Sequence, residues 1–276
     1  MEISYLKFVQ KTSFWLGAIA SFLMAINLAL MLRLNTDVVR IAIYIVACIL
    51  ISINLWSKRL FLQFNSDVFS SVLGLFLIIF VVQRNLFSVR SEPIIEILPF
   101  ITGLGLILIG AGFKGFKQFW LEILILLAIC IPEGIVLEYM IDLAGLTAKF
   151  AAFILYRFGF EVSLQGHYII LPKGTVEVEN GCSGVGSILI LWKTAILFLY
   201  KFNLSRDKKI LIQSVAVGLG FIVNTIRVAI MAFLVTYSTS AKFHYWHDGE
   251  GAQIFLFSAL LIFGIFCYFM IQENED

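Results

Sequence analysis

The chain consists of long apolar runs separated by short polar segments. Eight runs approach the length of about 20 apolar residues that a helix needs to cross a bilayer. Their approximate bounds are 12–32, 41–56, 66–82, 97–113, 119–141, 182–200, 210–236 and 252–271. This pattern predicts an all-α polytopic membrane protein with about eight transmembrane helices. Because no internal repeat or low-complexity tract interrupts it, the simplest expectation is a single membrane domain over residues 1–276.

The longest segment outside the apolar runs covers residues 142–181. Its first part, residues 145–159, is typical of a helix lying at the membrane interface. Residues 161–179 instead contain many β-branched and aromatic strand formers, and Pro172-Lys173-Gly174 supplies a turn between two extended stretches. We therefore expect a small extracytoplasmic β-hairpin just before the sixth apolar run.

Composition supports the membrane assignment. The 276 residues are 61% hydrophobic and only 14% charged, with a mean hydropathy of +0.97, whereas a soluble domain carries about 25% charged residues. The net charge is +2 and no basic patch is concentrated enough to neutralise a nucleic-acid backbone. Membrane lipid is thus an expected partner and nucleic acid is not. The first run is too long for a signal-peptide core and no cleavage pattern follows it, so we interpret it as a retained helix.

The distribution of basic residues predicts an orientation. The segment 201–209 is the densest basic loop in the chain, and the positive-inside rule places it in the cytoplasm. Counting spans outward from this loop puts both termini inside and the segment 142–181 outside. The first four spans show a weaker bias, because their outer loops also carry arginines.

Cys182 is the cysteine with a polar, glycine-rich setting, in the sequence Glu-Asn-Gly-Cys-Ser-Gly at residues 179–184. It opens the sixth run, and the positive end of a helix stabilises a thiolate, the nucleophilic form of the side chain. The remaining cysteines lie inside apolar runs, where a cysteine usually behaves as a small hydrophobic residue. A glycine-rich helix entry without chemistry is the alternative for Cys182.

A pair of polar residues occurs inside the seventh run. Asn224 and Arg227 are three residues apart and share a helix face. Arg227 lies roughly 14 Å inward from the predicted outer end of the helix. Because a central arginine costs about 2.5–3.5 kcal/mol on insertion scales, it is expected to face a polar cavity. An internal salt bridge or outward snorkelling is the structural alternative.

Two of the three histidines lie in the sequence His-Tyr-Trp-His-Asp-Gly-Glu-Gly at residues 244–251. His247 is a candidate general acid and base, while an interfacial loop anchored by Trp246 is the alternative. His244 and His247 could also bind a metal ion, but the acidic residues that follow make no recognisable ligand spacing with them. No metal site is therefore predicted.

The predicted topology brings these features to one side of the membrane. With 201–209 inside, Cys182 and His247 both lie at the outer interface, and Arg227 is on a helix rising toward it. A thiol, an imidazole and a fixed cation are the groups that thiol peptidases use, and this chemistry requires no cofactor. Two other functions remain open: a transporter or channel in which Arg227 and Glu133 mark the path, and a non-enzymatic assembly factor.

The motifs Asn180-Gly-Cys182-Ser-Gly184, Asn224-Thr-Ile-Arg227 and His247-Asp-Gly-Glu-Gly251 resemble those of the exosortase/archaeosortase family. The phrase HYWHDGEGAQIF is most similar to the cyanobacterial branch. The resemblance is clear over about residues 160–260, and the expected catalytic half covers about 119–271. One departure from the common pattern is Asn180-Gly181 before the cysteine, where many members have small residues such as alanine. This difference is expected to alter the substrate cleft.

The resemblance implies a multi-pass enzyme of the bacterial inner (plasma) membrane with an extracytoplasmic active site and, in this chain, cytoplasmic termini. Its expected activity is cleavage or transfer of exported proteins at C-terminal sorting signals of the PEP-CTERM type. Its partners would be the substrate's C-terminal tail and an acceptor that is a lipid, a glycan or water. The implied catalytic residues are Cys182 as nucleophile, Arg227 as cationic stabiliser and His247 as acid and base. The expected substrate-binding residues are Asn180, Gly184 and Asn224.

Overall fold

A computed structural model describes residues 12–34, 36–87, 93–139, 142–247 and 250–272. Both chain ends, which were predicted to be cytoplasmic, lie outside these residues. The chain divides into two compact units, Met1–Pro132 and Glu133–Asp276. That the 276 residues form one membrane domain stays a prediction.

The secondary-structure elements in the described part of the first unit are all helical. Its helices are α1 (Thr12–Arg33), α2 (Val38–Ser57), α3 (Val68–Phe87), α4 (Pro93–Ala111), α5 (Gly115–Gln118) and α6 (Trp120–Ile129), with a 3₁₀ turn at Gly112–Lys114.

Buried polar side chains connect three of these helices. Asn27 of α1 donates to the hydroxyl of Thr102 in α4 at 3.3 Å, and Asn85 of α3 donates to the Asn27 amide oxygen at 3.1 Å. All three residues are buried. In a membrane, hydrogen bonds of this kind replace the water that the groups cannot reach and hold helices together.

The second unit combines helices with a small sheet. Its elements are α7 (Glu133–Tyr139), α8 (Leu143–Arg157), β1 (Ser163–Gln165), β2 (Tyr168–Leu171), β3 (Gly174–Glu177), a 3₁₀ turn (Asn180–Cys182), α9 (Val185–Lys201), α10 (Arg206–Tyr237), α11 (Ser240–His247) and α12 (Glu250–Gln272).

Among the described residues, six helical segments are long and apolar enough to cross a membrane. They are Phe14–Arg33, Val38–Ser57, Val68–Phe87, Ile94–Gln118, Arg206–Tyr237 and Lys242–Gln272. The predicted all-α polytopic fold with a small β element is therefore confirmed, and the predicted count of eight spans is approximate.

The two predicted runs outside this set differ for identifiable reasons. Residues 119–141 form two helices instead of one, because Pro132 has no N–H to donate and disfavours helical backbone at the residue before it. The run 182–200 becomes α9, which has 17 residues and is therefore about 26 Å long. That length is slightly less than the thickness of the hydrocarbon core, about 30 Å.

The predicted hairpin is present within a three-stranded antiparallel sheet of order β1-β2-β3. Strands β2 and β3 pair from Tyr168↔Glu177 to Leu171↔Gly174, so the turn contains Pro172 as expected. Strand β1 is an addition to the predicted hairpin and pairs with β2. Across the sheet, the Glu177 carboxylate raises the pKa of the Tyr168 phenol by accepting its hydrogen bond and by its negative charge.

Helix α8 confirms the helix predicted at residues 145–159. One of its faces is buried against α10 and the sheet and consists mainly of small side chains, namely Ala144, Thr147, Ala148, Ala151, Ala152 and Leu155. Such small residues allow two helix backbones to approach closely. This core also contacts Cys182, so it lies directly under the candidate site.

Candidate active site

Cys182 closes a single 3₁₀ turn that precedes helix α9. Its own N–H donates to the Glu179 carbonyl at 2.9 Å, and the next N–H, of Ser183, donates to the Asn180 carbonyl at 3.1 Å. The thiol is not part of a disulfide and is partly buried. The helix begins at Val185, so the Cys182 thiol lies in the turn before it rather than at the first helical position that the sequence pattern predicted.

Gly184 explains this shift of the helix start. Its φ of +97° lies in the left-handed region, which a residue with a β-carbon rarely adopts. A β-carbon at Gly184 would also lie 2.8 Å from Nδ2 and 3.1 Å from Cγ of Asn224. Glycine is therefore required twice at this position, by its backbone conformation and by the close approach of α10.

Two buried side chains hold the loop that contains Cys182. Nδ2 of Asn224, on α10, donates to the Cys182 carbonyl at 2.9 Å. Oγ1 of Thr147, on α8, donates to the Ser183 carbonyl at 2.8 Å. Thr147, Ser183 and Asn224 are all buried, so these bonds are shielded from competing solvent. They fix two consecutive peptide groups from two different helices.

His247 faces the thiol. Its Nε2 lies 3.8 Å from Sγ of Cys182, within the range for a sulfur–nitrogen hydrogen bond. The ring stacks on Phe243 with centroids 5.0 Å apart and planes 17° apart. Because Phe243 is four residues earlier on α11, the two rings lie on the same helix face, and the stack restrains the imidazole orientation.

Arg227, on α10, forms a hydrogen bond with the backbone of His247. Its Nη2 donates to the backbone carbonyl of His247 at 2.8 Å. Its Nε is buried and has no hydrogen-bond partner among the described residues, which is costly for a charged donor. The guanidinium thus anchors the end of α11 and keeps further donors for an anion. Its role as a stabiliser of negative charge stays a prediction.

The remaining candidates lie close to this centre. Asn180 begins the 3₁₀ turn that Cys182 closes, and its side chain is exposed. Glu133 lies against the first turn of α9, since a β-carbon on Gly186 would be 2.7 Å from its Oε1. That position places a carboxylate near the positive end of the helix. Substrate binding by Asn180, Gly184 and Asn224 stays a prediction, and the structure adds a structural role for the last two.

The arrangement can perform nucleophilic acyl transfer. A thiol in contact with an imidazole is activated by proton transfer to the ring, and a guanidinium close to that pair can stabilise developing negative charge. The described residues contain no group of three or more His, Cys, Asp or Glu side chains arranged to hold a metal ion.

Sequence reasoning missed two residues of this site. Phe243 carried a usable signal, since it precedes His247 by four positions on a helix. Thr147 carried none. It is 36 residues from its partner Ser183 and looks like an ordinary polar residue of an amphipathic helix.

Comparison with known proteins gives a consistent picture. Residues 34–264 match the model of the family described as Transmembrane exosortase (Exosortase_EpsH). A probable archaeosortase E from Methanocaldococcus jannaschii is 32% identical to this chain over 96 residues. That match covers 35% of this chain and 49% of the relative, so the chain spans about half the length of this curated relative. No solved structure matches the chain significantly.

Proposed function

The chain belongs to the transmembrane exosortase family, and we propose that it is a membrane-embedded thiol transpeptidase that processes exported proteins at C-terminal sorting signals. Cys182 is the nucleophile, His247 the general acid and base, and Arg227 the cationic group. The site faces the exterior of the inner (plasma) membrane. The substrate is a tail of the PEP-CTERM type, in which a short motif precedes a transmembrane helix and a basic cluster.

The observation that carries this proposal is the 3.8 Å contact between Sγ of Cys182 and Nε2 of His247. The two residues are 65 positions apart and belong to different elements, so local chain geometry does not bring them together. Arg227 adds the third group through its bond to the His247 carbonyl. A site that only packed helices would have no need for a thiol, an imidazole and a cation at one point.

The first chemical step is acylation. The Cys182 proton moves to Nε2 of His247, and the sulfur attacks the scissile carbonyl carbon. As the carbon–sulfur bond forms, the carbonyl π electrons move to oxygen, where Arg227 and a backbone N–H stabilise the oxyanion. When the intermediate collapses, the carbon–nitrogen bond breaks and the imidazolium gives its proton to the leaving amine.

The second step resolves the thioester. An amine, a hydroxyl or water attacks the thioester carbon and loses its proton to His247. This attack forms the new acyl bond. The carbon–sulfur bond then breaks, and the sulfur takes the proton back from His247. Which acceptor reacts decides whether the outcome is transfer or hydrolysis, and a lipid, a glycan and water all provide suitable nucleophiles.

Replacing the nucleophile tests the proposal. Co-expression with a tailed substrate, followed by mass spectrometry of the mature C-terminus, should show complete loss of processing for Cys182→Ala. The protein should still reach the membrane at wild-type levels, because Cys182 is only partly buried at the edge of the core and its replacement by alanine removes a single heavy atom. Cys48→Ala is the matched control, since Cys48 is also a partly buried free cysteine, and it should process normally. Processing by Cys182→Ala would refute the mechanism.

A further inference from the structure

The hydrogen bond from Thr147 to the Ser183 carbonyl fixes the orientation of the whole Ser183–Gly184 peptide group. In a trans peptide group, the carbonyl of one residue and the N–H of the next point in opposite directions. Oγ1 of Thr147 holds the Ser183 carbonyl at 2.8 Å on the side of α8. The N–H of Gly184 therefore points away from α8 and from the Thr147 hydroxyl.

Of the four backbone N–H groups from Cys182 to Val185, three have a hydrogen-bond acceptor. Those of Cys182 and Ser183 are used within the 3₁₀ turn, and that of Val185 lies 3.5 Å from the Ser183 hydroxyl. The Gly184 N–H is different, because no acceptor among the described residues receives it. It lies only two residues after the nucleophile, and two successive Cα steps span at most about 7.6 Å.

An amide N–H close to a nucleophile, with no acceptor among the described residues, is the kind of donor that an oxyanion requires. The donor has to be oriented before the reaction, since reorientation during the reaction would consume the stabilisation. In this loop the orientation is imposed from two sides. Asn224 holds the preceding peptide group at 2.9 Å, and Thr147 holds the group that carries the Gly184 N–H. Both holding side chains are buried, so the loop cannot easily turn over.

We infer that Thr147 is a positioning residue that aims the Gly184 N–H at the oxyanion formed during acylation of Cys182. The inference rests on the proposed function, because it concerns the same acyl-transfer step. In this role Thr147 makes no bond to the substrate or to the reacting sulfur. It acts through the Ser183–Gly184 peptide group, and its hydroxyl is the group that matters.

The test compares Thr147→Val, which keeps the shape but removes the hydroxyl, with Thr147→Ser, which keeps the hydroxyl. Two rates are measured for each membrane-inserted protein: processing of a tailed substrate and alkylation of Cys182 by iodoacetamide. Alkylation needs the thiolate but forms no oxyanion. Thr147→Val should lower kcat for processing by about 100-fold, the scale of a misplaced catalytic group, with little change in KM. Its alkylation rate should match wild type, and Thr147→Ser should restore kcat.

Thr225→Val is the matched control. Thr225 is also buried, but its hydroxyl donates to the Phe221 carbonyl of its own helix at 2.8 Å. Its replacement should leave both rates near wild type. The inference is overturned if Thr147→Val processes like wild type, if Thr225→Val loses as much kcat, or if alkylation falls together with processing. Cys182→Ala distinguishes a failure of the thiol mechanism from a failure of the role of Thr147. If Cys182→Ala is inactive and Thr147→Val processes normally, the mechanism stands and only the role of Thr147 is refuted.

Discussion

At the scale of single residues, the candidate site depends on groups that cannot be exchanged for close relatives. Gly184 and Gly181 show the contrast within one loop. Gly184 has a φ of +97°, and a β-carbon on it would lie 2.8 Å from Nδ2 of Asn224, whereas a β-carbon on Gly181 would meet no heavy atom within 4 Å. Both glycines look alike in the sequence, so only the three-dimensional arrangement separates the required one from the tolerant one.

Gly184→Ala should therefore damage the site and Gly181→Ala should not. The left-handed conformation costs a residue with a β-carbon about 1–2 kcal/mol, and the contact with Asn224 adds to this cost. If the loop escapes by changing conformation, the active arrangement loses about 5- to 30-fold in population. Substrate processing by the two variants, at equal membrane levels, measures the difference. Equal activities would show that the loop adapts without loss.

The residues of the site were predictable to different degrees. The three motifs with Cys182, Arg227 and His247 could be found because charged and nucleophilic side chains are expensive in an apolar chain. The counting of spans then placed them on one side, and the structure brings them together. The supporting residues were not predictable, since a hydroxyl on a helix such as that of Thr147 costs little anywhere and leaves no signal in the pattern.

At the scale of elements, the apolar runs predicted the helices well but not the positions at which a helix is interrupted. The break before Pro132 was visible in the sequence, yet the continuous apolar run suggested one helix. Strand β1 is only three residues long and each of its residues is in the exposed class, so it lacks the alternation that marks a half-buried strand. Helix α8 was predicted as an interfacial helix. Its buried face depends on close contact with α10, which the sequence does not specify.

The contact between α8 and α10 gives a prediction for Ala148. This residue is completely buried, so the larger side chain of Ala148→Leu would overpack the interface at a cost of about 1–3 kcal/mol. The displacement would also move the adjacent Thr147. Thermal unfolding in detergent should show a lower midpoint, and processing should fall. The neighbouring Lys149 is exposed, so Lys149→Leu should leave both unchanged. An unaltered midpoint for Ala148→Leu would mean that the interface has room to spare.

At the scale of the whole molecule, the candidate site belongs entirely to the second compact unit. Cys182, Arg227, His247 and Thr147 all lie within Glu133–Asp276. The family match extends over residues 34–264 and therefore includes most of the first unit as well. Among the described residues, four of the six candidate spans lie in the first unit, whereas the candidate catalytic residues lie in the second.

Helix α9 links the nucleophile to the basic loop 201–209 and so decides the orientation of the site. At about 26 Å, it separates Cys182 from the loop by most of the hydrocarbon core. The positive-inside rule assigns the loop to the cytoplasm, so a membrane-impermeant maleimide added to intact spheroplasts should label Cys182. Asn203 is exposed just beyond the end of α9. In a chain whose native cysteines are replaced by alanine, Asn203→Cys should be labelled only after permeabilisation. The reverse pattern would place the site in the cytoplasm and exclude processing of exported tails.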